Sequence, residues 1–530
     1  MKRVICFLLL LVVGPVWAQG SPGLQRLARE FFAWRARTQP ASGDDVLRVE
    51  RPDGWTPDYS PEALARYRER YRAFKQRLEA LPKAGWTRAD SVDYLLLRSA
   101  IERVHWELDV LRLPHRNPDF YVHQTLGILY ELLLIHTPMT ETRARNLLVR
   151  LRSFSATLAH ARRNLTEPVA AFADIALANL EQAYNWGQSI AAVREQVAPE
   201  LQNELTGAYA RAHEALQHYE AWLRRERPKM RNDFSVGREA YEHFLRTIAL
   251  LPYAPEALLR MGRQAWHRAV AFETYERQRN RDLPPAKIFP TVEAQIEQAR
   301  RDEQAIRRFL EAQDIMTVPD WLQHYRNEPI PPRLAPLTHL GVLDDLTSES
   351  RLQEDAVRYL PQPSPNLSFF QRASAQDPRP IIVHEGIPGH YFQLARSWAH
   401  PDPIRRRYFD SGPIEGIGFY VEELMLQFGL FNDRPHTREI IYRFCACVPC
   451  GWTWTSTWRW ATTASKRPPV TSPKPCPWTN PPPGRRPVFS PSRPVRPSPT
   501  KSANCRFCNS SPTPASSSVT ASACALFTTI

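Results

Sequence analysis

The stretch Leu205–Trp222, LTGAYARAHEALQHYEAW, places apolar side chains at 205, 208, 212, 216, 219 and 222. Steps of three or four residues keep these groups on one side of a 3.6-residue helix, so the stretch predicts an amphipathic helix with one buried face. Leu147, Leu148, Leu151, Phe154 and Leu158 repeat the pattern. Ser60-Pro61 reads as a helix start, a capping hydroxyl followed by a proline whose missing N–H is not needed in the first turn. The helix it opens runs through Ala63-Leu64 to Leu78-Leu81. Stripes of this kind serve mostly to pack helix on helix. From about residue 22 to 310 the chain reads as helix after helix, with little strand alternation and no fixed-period repeat. The expected fold class is therefore all-α, with few or no strands. Around 328–380 the chain becomes proline-rich and irregular, the composition of loops that contact a substrate.

Both ends of the chain differ from this body. Met1–Gly20 runs from Lys2 and Arg3 through the apolar run Val4–Val13 to Val16-Trp17-Ala18, the order of a secretory signal peptide cleaved after Ala18. The alternative is an uncleaved N-terminal anchor. No later stretch approaches the roughly 20 apolar residues of a membrane-spanning helix, so the mature protein is expected to be soluble and periplasmic or secreted. Of the net charge of +14, eleven positive charges lie in residues 440–530, where there is no Asp or Glu, leaving +3 for the first 439 residues. That tail also holds seven of the eight cysteines; the other is Cys6. Basicity thus belongs to the tail and gives the body no nucleic-acid footprint. Residues 444–530 carry sixteen prolines and read as a disordered basic segment. Cys505 and Cys508 have the spacing of half a zinc knuckle, but no second pair completes it. Read one base earlier, the codons for Cys445–Trp452 become compatible with LRVRALRV and those for Lys501–Asn509 with QIGKLQILQ. Helical apolar spacing returns, and a single-base frameshift near Phe444 is the expectation. An intact reading frame on resequencing, with matching transcripts, would contradict it. The domain limits expected are 1–18 for the signal, 19–443 for the helical domain and 444–530 for the aberrant tail.

The chemistry-bearing segment is IIVHEGIPGHYFQ, residues 381–393. It delivers His384 and Glu385 and, six residues after the first histidine, His390. Neutral imidazoles suit zinc, and a carboxylate beside the first ligand suits a general base. On a regular helix six residues leave two side chains roughly 120° apart. One metal can meet both histidines only if the helix is broken or bulged between them. Pro388-Gly389 supplies the cause, a missing donor followed by a permissive backbone. Downstream, in IEGIGFYVEE (414–423), a helix would put Glu415, Phe419 and Glu422 on one face, and a carboxylate there could complete a two-histidine, one-carboxylate site. The alternative is that Glu415 and Glu422 are ordinary helix-surface acids and His384 a satisfied core histidine.

These segments resemble the bacterial domain-of-unknown-function 885 family, marked by His-Glu-x-x-Pro-Gly-His and then Glu-Gly-Trp-Ala-x-Tyr-x-Glu. The matching positions are His384, Glu385, Pro388, Gly389, His390 and Gln393, then Glu415, Gly416, Tyr420 and Glu422. Tyr391 stands where a further histidine is frequent, and Ile417-Gly418 replace Trp-Ala; these departures leave the implied ligand set intact. The resemblance extends from about residue 25 to 443 and includes Gly237–Leu245, GREAYEHFL. The family is grouped with zinc metallopeptidases, and the Glu-Gly element resembles the third-ligand segment of angiotensin-converting-enzyme-like helical peptidases. The resemblance implies a large helical fold with a central cleft, zinc (Zn2+) held by His384, His390 and Glu415, and Glu385 as the proton carrier. Tyr420 is its candidate oxyanion donor and a peptide its substrate.

An exported zinc peptidase is the leading expectation. The alternative is a non-catalytic helical binding or scaffold protein, or an inactive pseudoenzyme whose cleft the tail leaves incomplete. No nucleophile elbow, phosphate loop or dinucleotide motif supports a serine hydrolase or a nucleotide enzyme.

Overall fold

The computed structural model describes residues 21–43, 49–364 and 366–446. The expected signal peptide lies outside these residues. So does the tail, apart from Phe444 to Ala446, which continue a helical run over 435–446.

The periodic stretches are helices. Pro61–Glu79 (α1) begins where Ser60 caps the Ala63 amide. Glu141–Asn164 (α2) buries Leu147, Leu148, Leu151, Phe154 and Leu158 along one side. Pro199–Glu226 (α3) packs along α2 and buries Leu205, Ala208, Ala212, Leu216 and Tyr219. The stripe ends differently from the sequence pattern: Leu223 is buried, whereas Trp222 is only partly covered and stacks on Tyr219. Eighteen residues are five full turns, so position 223 lies directly above Leu205 and position 222 lags by about 100°. These helices belong to a core built almost wholly from residues 24–230, with Leu334, Leu337, Leu340, Val357, Tyr359 and Ile404 added from later in the chain.

A second core gathers the later chain. Val292–Ala312 (α4) contributes Ala299, Ile306 and Leu310, and Ser411–Phe428 (α6) contributes Val421, Met425 and Leu426. A helix between them in sequence, His390–Trp398 (α5), adds Tyr391, Leu394 and Ala395. A small sheet forms within the proline-rich region: β1 (Tyr325–Pro329), β2 (Asp344–Asp345) and β3 (Ala356–Leu360), in the order β1-β3-β2. β1 is parallel to β3 and β2 antiparallel to it. Part of a region that reads as irregular is thus extended. Pro329 sits at the end of an edge strand, where no ladder donor is needed. All five residues of the central strand β3 are buried, so AVRYL shows no alternation.

The all-α expectation holds, with this one three-stranded sheet among the described residues. No helix among them is long and apolar enough to cross a membrane.

Candidate metal centre

His384 and Glu385 sit in a helix that widens. Residues Ile382–Gly386 form a π-turn closed by Ile387 N–H donating to Ile382 C=O at 2.9 Å. The chain then leaves the helix at Ile387 (φ −123°, ψ 125°), passes the cis Ile387-Pro388 peptide, and re-enters as α5 at His390. This break turns the second imidazole back on the first: the ring centroids are 4.7 Å apart. Gly389 is required by crowding. A Cβ there would lie 1.8 Å from the His384 carbonyl oxygen and 2.4 Å from that of Val383, both immovable backbone. The distortion that the six-residue spacing demands is therefore present, at the dipeptide that the sequence points to.

Helix α6 supplies the carboxylates. It starts at Asp410, whose side chain caps the Gly412 amide and also pairs with Arg103 of the helical body, and it stops at Gly429 in the left-handed region. Glu415, Gly418 and Glu422 follow one another at three- and four-residue steps along the face against the π-turn. Gly418 leaves room for the His384 ring, since a Cβ would lie 2.5 Å from Cε1. Glu415 reaches both histidines: Oε1 is 3.4 Å from His390 Nε2 and Oε2 is 3.7 Å from His384 Nε2. One ligand atom each from His384, His390 and Glu415 lie within 4.8 Å of one another. Two turns beyond Glu415, Glu422 accepts a 2.7 Å hydrogen bond from His384 Nδ1, which leaves Nε2 to face the cluster. That partnership fixes a metal-ligating imidazole's tautomer and ring plane. Glu385 projects to the same place, with Oε2 4.0 Å from His390 Nε2.

The electrostatics fit a cation. Burial opposes charge on His384, but the facing carboxylates of Glu415 and Glu422 outweigh it and hold the imidazole well above its ordinary range. Burial likewise works to raise the Glu415 carboxyl, and the two histidines overcome it and hold it well below the usual value. Glu422 is raised, chiefly by burial, despite its bond to His384. Three carboxylates, Glu385, Glu415 and Glu422, thus face the two imidazoles, and a bound cation can offset their negative charge. His390 is 1% exposed and the Glu415 side chain 28%, so the approach from solvent is past the carboxylate. Two imidazoles and a carboxylate form the donor set of an open zinc site.

Tyr420 does not join this group. It is 64% exposed and lies five residues beyond Glu415, about 140° around the helix. The sequence match places it in the motif, but the helical period turns it to solvent. Conversely, residue spacing gave no role to Arg358, Asp344 or Tyr325, which form a buried polar wall beside Glu385. Arg358 Nη1 is 2.6 Å from Asp344 Oδ2 and 3.7 Å from Glu385 Oε1. Tyr325 Oη donates to Asp344 Oδ1 at 2.6 Å. The available signal was an arginine inside the apolar run AVRYL.

The chain belongs to the family described as "Bacterial protein of unknown function (DUF885)", whose model matches residues 41–441. No curated protein matches it. Solved structures that share the fold include two described as lipoproteins. A "putative lipoprotein" from Colwellia psychrerythraea is 13% identical with a TM-score of 0.63, over 83% of each chain. A "putative lipoprotein of unknown function" from Shewanella oneidensis is 14% identical with a TM-score of 0.57, over 82% of this chain and 83% of that one.

Proposed function

We propose that this member of the DUF885 family is an exported zinc-dependent peptidase. The observation that carries the reading is the convergence of His384, His390 and Glu415 on one point, with Glu385 beside them. His384, His390 and Glu415 would hold the ion. A zinc ion held there supplies a Lewis acid that polarises a carbonyl and acidifies water. Glu385 stands next to the ligands with its carboxylate free of hydrogen bonds to described residues, and it takes a proton from the attacking water and delivers it to the leaving amine. Glu422 keeps His384 in the ligating tautomer. Export rests on the sequence of residues 1–20, and the two structural neighbours described as lipoproteins are in keeping with it.

Incubating the purified chain with a defined peptide mixture and reading the products by mass spectrometry tests this. Zinc-dependent cleavage that falls about 10²- to 10⁴-fold in Glu385→Gln is the expected result. Zinc-independent cleavage, or equal cleavage by the variant, contradicts it. Two observations favour a second reading, an inactive pseudoenzyme: Tyr420 faces solvent, and no acid follows Glu439 in a tail with an altered composition. Stoichiometric zinc without peptide cleavage is the signature of that alternative.

A further inference from the structure

The small sheet places a cation against the proton carrier. Arg358 is the middle residue of β3, the central strand, and is buried with the rest of that strand. Burying a guanidinium among apolar neighbours is costly unless carboxylates face it. Two do. Asp344, its register partner on β2, forms the close pair, and Glu385 is the second carboxylate, from a different element. Asp344 is itself fixed by the Tyr325 hydroxyl from β1, so all three strands contribute to holding one side chain. The Tyr325 ring in turn lies against the π-turn. A Cβ on Gly386 would be 2.7 Å from its Cδ1, so the residue after Glu385 must be small for the sheet to approach.

The geometry at Glu385 shows what this cation can do. Two basic side chains lie within 4.0 Å of it, Arg358 at 3.7 Å and His390 at 4.0 Å, on different carboxylate oxygens. A base for a metal-activated reaction must stay close to the ion without becoming another ligand. A glutamate beside a cluster of ligands, with nothing on its other side, would be drawn onto the ion. We infer that Arg358 is the positioning residue for Glu385, holding the carboxylate beside the metal ligands, with Asp344 and Tyr325 holding Arg358. The inference rests on the proposed role of Glu385 and extends the site to the sheet.

Zinc affinity, measured by competition with a chromophoric chelator, reads this without any substrate. Arg358→Gln frees the carboxylate to move onto the ion, so zinc binds about tenfold more tightly; in the Glu385→Gln background the same change has about a twofold effect or less. Arg358→Lys restores the parent affinity. Because Arg358→Gln strands the buried charge of Asp344, Arg358→Gln with Asp344→Asn is measured beside it, and the same dependence on Glu385 is expected. An equal change in both backgrounds, or no restoration by lysine, overturns the inference. Where peptide cleavage is found, Arg358→Gln lowers kcat about 10²-fold and leaves KM within about twofold; an effect on KM alone also overturns it. Absence of cleavage defeats the peptidase reading, while the dependence of zinc affinity on Glu385 still decides this one. A folded parent that binds no zinc overturns both.

Discussion

In α3 the buried positions 205, 208, 212, 216, 219 and 223 share only their apolar character and their spacing. Between Ile382 and His390 four positions are tied to one residue type: His384 and Glu385 for their donor atoms, Gly386 for the approach of Tyr325, and Gly389 for the approach of the His384 backbone. The first region is stabilised by many weak, replaceable contacts on one face. The second depends on a few contacts with no slack. A packed helix tolerates changes of shape at a graded cost, whereas a bulged turn that aims two imidazoles at one point fails abruptly. Substitutions in the two regions should therefore separate stability from metal binding.

The largest effect is expected at Gly389. In Gly389→Ala the new methyl meets the His384 carbonyl, and the backbone must shift to admit it. A loss of at least about 4 kcal/mol is expected, as a lower melting temperature together with lost zinc binding. A variant with parent-like melting and zinc affinity would show that the break between the histidines is not needed. In the regular region Leu205→Ala should cost about 3 kcal/mol, seen in denaturant unfolding, and leave the zinc affinity of the folded protein unchanged. Weaker zinc binding there would mean that the two cores do not act separately.

Glu422→Gln sharpens the comparison. It keeps the shape of the site but weakens the carboxylate that orients His384, so zinc affinity should fall about 10- to 100-fold. Stability should hold, because Glu422 Oε2 is buried without a hydrogen-bond partner. Equal losses of stability and zinc would make Glu422 a structural group only. The smallest effect is expected at Tyr420, where replacement by phenylalanine should change zinc affinity and melting by no more than about 0.5 kcal/mol, as at other exposed positions. A large loss of zinc there would mean that the exposed face of α6 reaches the site.

The helical body was legible because its signal is local: α1, α2 and α3 announce themselves in apolar spacing and caps. The convergence of His384 and His390 was legible for a different reason, since their six-residue separation can be reconciled with one point only by a break, and Pro388-Gly389 provides it. What remained hidden depends on pairing across the chain. β3 is five residues in a proline-rich region, with no alternation because both its faces are covered. The partner of His384 could be seen to share a helix face with Glu415, but not that it accepts the Nδ1 proton. Arg358 precedes Glu385 by 27 residues and meets it only through the sheet. Tyr420 shows the reverse case, a motif position whose helical phase turns the side chain away from Glu415.

The central claim is that His384, His390 and Glu415 form one zinc site, and elemental analysis of the purified, folded chain tests it most directly. After exposure to zinc and removal of the excess, about one zinc per chain is predicted for the parent and almost none for His384→Ala of the same fold. A folded parent without zinc, or a His384→Ala protein that retains a full equivalent, would contradict the account.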